Sequence, residues 1–118
     1  MALILVADDD ATTRDLVRRA LEGDGHEVVM AEDGAEALAR ASERTFDLVI
    51  TDIDMPNVDG VSLAETLVAR NPRQAIVLMS AIADELARAR ALARGTVRVV
   101  TKPVTLGAIR GEAAELLG

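Results

Sequence analysis

The segment LVITDIDMPNVDG, residues 48–60, joins a short hydrophobic run directly to a polar loop. Its first three residues, Leu48–Ile50, form an aliphatic run that is typical of a buried strand. Asp52, Asp54 and Asp59 then follow in a stretch that also contains a proline and a glycine, which are typical of loops. Because carboxylates are costly to bury without a partner, the segment predicts a polar site at the end of a strand.

Apolar residues elsewhere in the chain show two alternating periodicities. Four further short runs predict strands that are mostly buried on both faces: Leu3–Ala7, Val28–Met30, Ile76–Met79 and Val97–Val100. Residues at helical spacing predict five apolar helix faces: Leu16, Val17, Ala20 and Leu21; Ala35, Leu38 and Ala39; Leu63, Ala64, Leu67 and Val68; Leu86, Ala89, Leu92 and Ala93; Leu106, Ile109, Ala113 and Leu116. The alternation predicts one α/β domain over residues 1–118, with a doubly wound parallel sheet between helices.

The composition excludes several classes of function. A net charge of −7 and a single aromatic residue, Phe46, argue against direct nucleic-acid binding. Without cysteine, and with His26 as the only histidine, the chain has no thiol chemistry and no His-rich metal site. The apolar N-terminal run lacks a basic leader and soon meets three aspartates, so we expect neither a signal peptide nor a membrane span, and a cytoplasmic location.

Polar residues follow four of the five predicted strands, at the edge where a doubly wound sheet binds its ligands. These residues are Asp8, Asp9 and Asp10 after the first strand, Asp52 after the third, Ser80 after the fourth and Lys102 after the fifth. Clustered carboxylates repel one another unless a cation lies among them, and Mg²⁺ takes oxygen ligands without Cys or His. A hydroxyl and an ammonium suit a phosphoryl group, and a carboxylate can attack phosphorus.

Four segments in this order resemble the receiver domain of two-component response regulators: ILVADDDATTR, LVITDIDMPNVDG, IVLMSA and VVTKP. The resemblance covers essentially the whole chain. It implies a flavodoxin-like, five-stranded parallel sheet in the order 2-1-3-4-5, flanked by five helices. It also implies a signalling domain that takes a phosphoryl group onto Asp52 from a histidine kinase or a histidine phosphotransfer protein, depends on Mg²⁺ and slowly dephosphorylates itself.

The resemblance also implies a metal site formed by four aspartates. Asp9 and Asp52 match residues that bind Mg²⁺ directly, and Asp8 matches one that acts mainly through water. Asp54 matches a residue that contributes its backbone carbonyl oxygen. Asp10, by contrast, is predicted to cap the first helix, and Asp59 with the following glycine is predicted to form a turn.

Ser80 and Lys102 match the family's two other site residues. Ser80 matches the hydroxyl residue that turns inward to hold a phosphoryl oxygen, and Lys102 matches the lysine that pairs with it. Lys102 is the only lysine in the chain, whereas the other twelve cations are arginines, which suggests that a compact ammonium is needed there. The peptide bond before Pro103 is often cis in the family. Val99 is a departure, because receivers usually carry Tyr or Phe three residues before the lysine.

Two other functions remain as alternatives. A degenerate receiver that serves as a passive interaction module would keep the fold without the chemistry. A haloacid-dehalogenase-like phosphatase also has an apolar strand followed by DxD, but such enzymes usually add a cap and a downstream acidic cluster, whereas here the cluster lies upstream. A flavin-binding module is excluded, because a Ser/Thr-rich phosphate loop is missing. We therefore expect no conventional enzyme, only self-phosphorylation and self-dephosphorylation.

Charge is distributed unevenly along the chain. Residues 86–111 contain five arginines and Lys102 without an acid, whereas residues 1–60 contain fifteen acids and five arginines. One hypothesis is a basic surface on the fourth helix, fifth strand and fifth helix that docks an acidic downstream partner or a second receiver. The alternative is that Arg88, Arg90 and Arg94 only solvate the fourth helix. The sequence leaves open whether the chain stands alone or belongs to a larger regulator.

Overall fold

The computed structural model describes residues 1–92 and 95–118, and within them five parallel strands form one sheet. The strands are β1 (Leu3–Ala7), β2 (Glu27–Ala31), β3 (Leu48–Asp52), β4 (Ala75–Ser80) and β5 (Val97–Thr101). The helices are α1 (Ala11–Gly23), α2 (Gly34–Glu43), α3 (Gly60–Arg70), α4 (Ala83–Leu92) and α5 (Leu106–Leu117). The strand order β2-β1-β3-β4-β5 confirms the predicted fold class.

Several strands are longer than the hydrophobic runs that predict them. Asp52 still pairs with Met79, and Ser80 pairs with Thr101, so polar residues form the last pairs of the ladder. Both strand ends therefore hold their side chains on regular backbone rather than in a loop. This places two predicted site residues on rigid elements.

The prediction of burial on both faces holds for the central strands and is wrong for the edge strands. Every residue of β3 and β4 is buried. In β2, by contrast, Met30 is exposed and Val28 is only partly buried, and in β5 three of the five residues are partly buried. An edge strand has one neighbour instead of two, and its outer side lacks the cover that a further strand and helix would provide.

The sheet separates two hydrophobic clusters because neighbouring residues of a strand point to opposite faces. Leu5 and Ile76 pack on the face covered by α2, α3 and α4. Ile4 and Val77 pack on the face covered by α1 and α5. Each fully buried aliphatic side chain contributes about 1.5–3 kcal/mol, so the two clusters hold the strand ends in fixed positions.

The side of α2 that faces the core is not the one predicted. Ala35 and Ala39 are exposed, whereas Ala37 is fully buried and Leu38 packs beside the core. Leu106, predicted on the buried face of α5, is likewise 43% exposed. Alanine lies on several sides of α2, so its sequence leaves the helix rotation undetermined until the helix packs on the sheet.

Helix starts are set by side-chain caps. Asp10 accepts a hydrogen bond from the Thr12 amide and begins α1, which confirms its predicted function. Asp59 accepts from the Ser62 amide and begins α3, so the prediction of a simple turn at this position is wrong. Such caps satisfy amides that have no partner within the helix.

Gly60 allows α3 to begin directly against the end of β3. A Cβ atom at this position would lie well inside van der Waals contact with the Asp52 carbonyl oxygen. The loop between them is held from the side as well, because the Asn57 amide donates to the Asp33 carboxylate at 3.2 Å, and Asn57 has a positive φ of 71°. The backbone around Asp52 is therefore fixed on two sides.

Helix α4 packs lightly on the sheet. Its described buried residues are Leu86 and Ala89, and Leu92 is partly buried. Ala93, predicted on the same face, and Arg94 lie outside the described residues. Within the described ranges, no helix combines the length and apolar character needed to cross a membrane.

Candidate functional site

Three aspartate side chains meet at the carboxyl edge of the sheet. One carboxylate oxygen from each of Asp8, Asp9 and Asp52 lies within 4.8 Å of the others. Their convergence follows from the topology, because β1 and β3 are neighbours and Ala7 pairs with Thr51 just before these residues. Asp8 is fully buried and Asp52 is 6% exposed, whereas Asp9 faces solvent. The structure thus brings together three of the four predicted metal-binding aspartates.

Asp54 lies outside this carboxylate cluster. It is exposed and follows Asp52 by two residues, beyond the end of β3. Its predicted contribution is a backbone carbonyl oxygen rather than a carboxylate, and that contribution stays a prediction.

The loop between β1 and α1 is held by bonds to Asp8. The Asp8 carboxylate accepts a hydrogen bond from the Asp10 amide at 2.9 Å. The Asp8 carbonyl oxygen accepts one from the Arg14 guanidinium at 2.7 Å. Arg14 was not among the predicted site residues, because its only sequence signal is a position one turn into a helix that follows three aspartates. Arg14 fixes the backbone that carries Asp8 and Asp9.

Lys102 bridges two carboxylates of the cluster. Its ammonium nitrogen lies 3.0 Å from Oδ2 of Asp8 and 3.3 Å from Oδ2 of Asp52. Burial, the largest influence, lowers the pKa of Lys102, but hydrogen bonds and charges from Asp8 and Asp52 together raise that pKa above its ordinary value. The side chain is 19% exposed, so Lys102 is a charged, largely desolvated group that points at Asp52.

The backbone around Lys102 follows from its place after β5. Its amide donates to the Ser80 carbonyl oxygen at 2.9 Å, which ties the ends of β4 and β5 together. The Lys102-Pro103 peptide bond is cis, as the resemblance implied. Val99 packs against the cluster of buried residues on the α4 side of the sheet, without an aromatic ring at that position.

Asp52 is the carboxyl group with the largest resolved perturbation. Burial first, and the charge of Asp8 second, raise the pKa of Asp52 to about 6, although Lys102 opposes both. A carboxylate with this environment is poorly solvated when ionised, which makes it a better nucleophile and favours a cation beside it.

Ser80 is buried, but its hydroxyl is turned away from the carboxylate cluster. It donates to Oε1 of Glu85 at 2.7 Å, and its oxygen accepts from the Ile82 amide at 3.0 Å. In the part of the chain that the structure describes, the Ser80 hydroxyl makes no hydrogen bond to the side chain of Asp52 or Lys102. Ser80 was predicted from the sequence and Glu85 was not, because only the start of α4 brings Glu85 into contact with Ser80.

The cluster fits a hard divalent cation by its donor chemistry. Asp8, Asp9 and Asp52 supply oxygen atoms only, at mutual distances that one ion can span. Burial and the charge of Asp8 both raise the pKa of Asp52, and a cation at the cluster would offset both effects. The arrangement can therefore hold a metal, present a nucleophilic carboxylate and place one ammonium beside it.

Among the described residues, two arginines of the predicted basic surface lie close to acids of the same chain. Arg98 of β5 pairs with Glu115 and, at 3.4 Å, with Glu112, both on α5. Arg88 of α4 lies 3.8 Å from Asp59. The two glutamates follow residue 111, just outside the acid-free segment, and the helical turn brings them back to the strand. Arg98 therefore binds α5 rather than presenting a free charge.

A family model matches most of the chain. The model for the response regulator receiver domain matches residues 4–114 of the chain. The sensor protein EvgS of Escherichia coli strain K12 is 37% identical over 113 residues, which are 96% of this chain and 9% of EvgS. The transcriptional regulatory protein ZraR of Salmonella typhimurium is 35% identical over 101 residues, which are 86% of this chain and 23% of ZraR. The chain thus spans a small part of these relatives.

The fold is also similar to a solved structure that contains ligands. The response regulator protein TrrA from Thermotoga maritima, in complex with Mg²⁺ and BeF, superposes with a TM-score of 0.88 and is 30% identical. The match covers 99% of this chain and 100% of that one.

Proposed function

The chain belongs to the response regulator receiver domain family, and on that premise we propose that Asp52 is the residue at which this phosphorylation-switched signalling domain accepts its phosphoryl group. The observation that carries the proposal is the position of Asp52 at the end of β3, within 4.8 Å of two other carboxylates and 3.3 Å from Lys102. Burial and the charge of Asp8 raise its pKa to about 6, so at neutral pH the carboxylate is poorly solvated yet largely ionised and can act as a nucleophile.

The transfer step needs only groups of this site and a donor. A carboxylate oxygen of Asp52 attacks the phosphorus of a phosphohistidine or an acyl phosphate. The new phosphorus–oxygen bond forms an acyl phosphate on Asp52. At the same time the bond between phosphorus and the donor breaks, and its electron pair leaves with the donor's histidine nitrogen or with the donor's carboxylate oxygen. Lys102, already beside Asp52, then pairs with an oxygen of the transferred group. Slow hydrolysis of the acyl phosphate returns the carboxylate.

Mg²⁺ is the proposed cofactor. Asp9 and Asp52 would bind it directly, Asp8 mainly through water, and Asp54 through its backbone carbonyl oxygen. When bound, the ion supplies positive charge against the phosphoryl oxygens and against the clustered carboxylates. Lys102 supplies the other positive charge.

The partners follow from the family. We propose a histidine kinase or a histidine phosphotransfer protein as the donor, and a downstream protein or a second receiver as the target. We also propose a cytoplasmic location, where such donors act, and one receiver unit over residues 1–118. The longer relatives leave open a larger regulator around this domain.

Labelling with acetyl phosphate tests the proposal. Incubation with acetyl phosphate and Mg²⁺ should add one phosphate per chain, and borohydride trapping with peptide mass spectrometry should locate it at Asp52. Labelling at another residue would overturn the assignment. Sustained turnover of p-nitrophenyl phosphate would instead support the phosphatase alternative, and complete failure to label would support the passive module.

A further inference from the structure

The hydroxyl of Ser80 is hydrogen-bonded to a residue of α4. Ser80 is the last residue of β4 and is 1% exposed, so its surroundings are protein. Its Oγ donates to the carboxylate of Glu85 at 2.7 Å and accepts the Ile82 amide at 3.0 Å. Glu85 lies in the first turn of α4 and is partly buried. These two bonds hold Ser80 against the start of the helix.

A serine hydroxyl has one proton and can therefore donate to one strong acceptor at a time. A phosphoryl oxygen on Asp52 and the carboxylate of Glu85 must compete for that proton. We propose that Glu85 is a positioning residue that holds Ser80 away from the site, and that its release is coupled to phosphorylation. The inference rests on the proposed function of Asp52, because the competing acceptor is the phosphoryl group.

The same contact connects the site to α4. The apolar contact of this helix is small, with Leu86 and Ala89 as its described buried residues. Its side-chain polar attachments in the described chain are the Glu85 bond to Ser80 and the Arg88 pair with Asp59 at 3.8 Å. When Ser80 turns to a phosphoryl oxygen, α4 loses the closer of these two attachments. The start of α4 then becomes free to move.

The coupling predicts what kind of partner recognises the phosphorylated state. Release of Ser80 leaves the Glu85 carboxylate without its donor, beside Ile82, which is already 49% exposed. A partner with a basic side chain next to an apolar one can bind both groups. By linkage, a partner that binds the released Glu85 also stabilises the phosphorylated state.

Two alanine variants test the inference with matched charge. Glu85→Ala and Asp84→Ala each remove one acid from the first turn of α4, but Asp84 is exposed and makes no side-chain bond among the described residues. We would titrate each with beryllofluoride and Mg²⁺, a phosphoryl mimic, and follow binding by NMR. Glu85→Ala should lower the half-saturating concentration at least about threefold, because a competing charge-assisted bond is lost. Asp84→Ala should change it less than about twofold, because an exposed charge is screened.

Repeating both acid variants in the Ser80→Ala protein separates the release of Ser80 from any other effect of Glu85. Without the hydroxyl, Glu85→Ala should shift the half-saturating concentration no more than Asp84→Ala does. An equal gain with and without Ser80, or equal effects of the two acid variants in the wild-type background, would overturn the inference.

Hydrogen exchange in the absence of Mg²⁺ and phosphodonor keeps this test independent of the proposed function. The Ile82 amide should exchange faster in Glu85→Ala than in Asp84→Ala. Without Glu85 the Ser80 hydroxyl is no longer held in the orientation in which it accepts the hydrogen bond from that amide. If Asp52 cannot be labelled at all, the proposed function fails while this exchange result still reports on the contact. If Asp52 is labelled but Ile82 exchange is the same in both variants, the inference on Glu85 alone fails.

Discussion

The ammonium nitrogen of Lys102 lies 3.3 Å from Oδ2 of Asp52, although β4 separates their strands in the sheet. The hydrogen bond from the Lys102 amide to the Ser80 carbonyl oxygen fixes the backbone from which the side chain reaches across. The only lysine of the chain thus lies at the carboxylate proposed to react. The geometry thus places a compact ammonium group between the carboxylates of Asp8 and Asp52.

Lys102→Arg should therefore impair the switch although it keeps the charge. The planar guanidinium is larger than the ammonium and cannot occupy a position 3.0 Å from Asp8 and 3.3 Å from Asp52 without displacing one of them. We expect labelling of Asp52 to persist at a rate reduced about tenfold or more, an effect equal to about 1.4 kcal/mol. Amide chemical-shift changes on labelling should be smaller than in the wild type. A full wild-type response would show that charge alone is sufficient.

The raised pKa of Asp52 predicts how stability depends on pH in the metal-free protein. The pKa is 3.8 ordinarily and about 6 in the folded chain, so between these values the folded protein binds more protons than the unfolded one. Stability therefore falls as pH rises from about 4 to 6, and the loss remains at higher pH. Asp52→Asn removes this cost and should be more stable than the wild type at neutral pH by about 1–3 kcal/mol.

Urea unfolding in EDTA at two pH values checks this expectation. The advantage of Asp52→Asn should be present at pH near 7.5 and nearly absent below about 4, where the wild-type carboxyl is protonated in both states. The exposed Asp84→Asn provides the matched control. An Asp52→Asn protein that is less stable than the wild type at neutral pH would show that its carboxylate is favourably paired there. Labelling by acetyl phosphate should be lost in the same variant.

Mg²⁺ affinity should respond differently to substitution of Asp9 and of Asp54, the two exposed aspartates of the predicted metal site. Asp9→Asn should weaken Mg²⁺ binding about tenfold or more, because it removes a charged oxygen ligand from the cluster. Asp54→Asn should leave it within about threefold, because the backbone carbonyl oxygen remains and only an exposed, screened charge is lost. Calorimetric titration with MgCl₂ measures both. A larger loss from Asp54→Asn than from Asp9→Asn would place the fourth ligand on the Asp54 side chain.

The sequence was sufficient for most of the fold because strand and helix periodicities are local signals. The positions of Asp8, Asp52 and Lys102 at one edge follow from strand ends in a parallel sheet, and the structure confirms their convergence. The phase of α2 could not be predicted, since Ala35 and Ala39 are chemically no different from the buried Ala37.

Contacts made between separate elements were also beyond local sequence signals. The bond from Ser80 to Glu85 depends on where α4 begins, and the Arg98 pairs with Glu112 and Glu115 depend on how α5 returns over β5. The acid-free segment 86–111 ends one residue before Glu112. Pairing of this kind requires the three-dimensional arrangement.

The close approach of Gly60 to the Asp52 carbonyl oxygen gives the last prediction, which links packing to chemistry. Gly60→Ala should destabilise the domain by about 3 kcal/mol and slow labelling of Asp52, because the added Cβ must push α3 away from the end of β3. Gly111→Ala is the matched control, since that helical position in α5 is exposed with open space around it. It should gain about 0.5–1 kcal/mol from helix propensity alone. Urea unfolding measures the stability of both variants. If the Gly60→Ala protein is as stable as the wild type and is labelled normally, β3 and α3 can separate without disturbing Asp52.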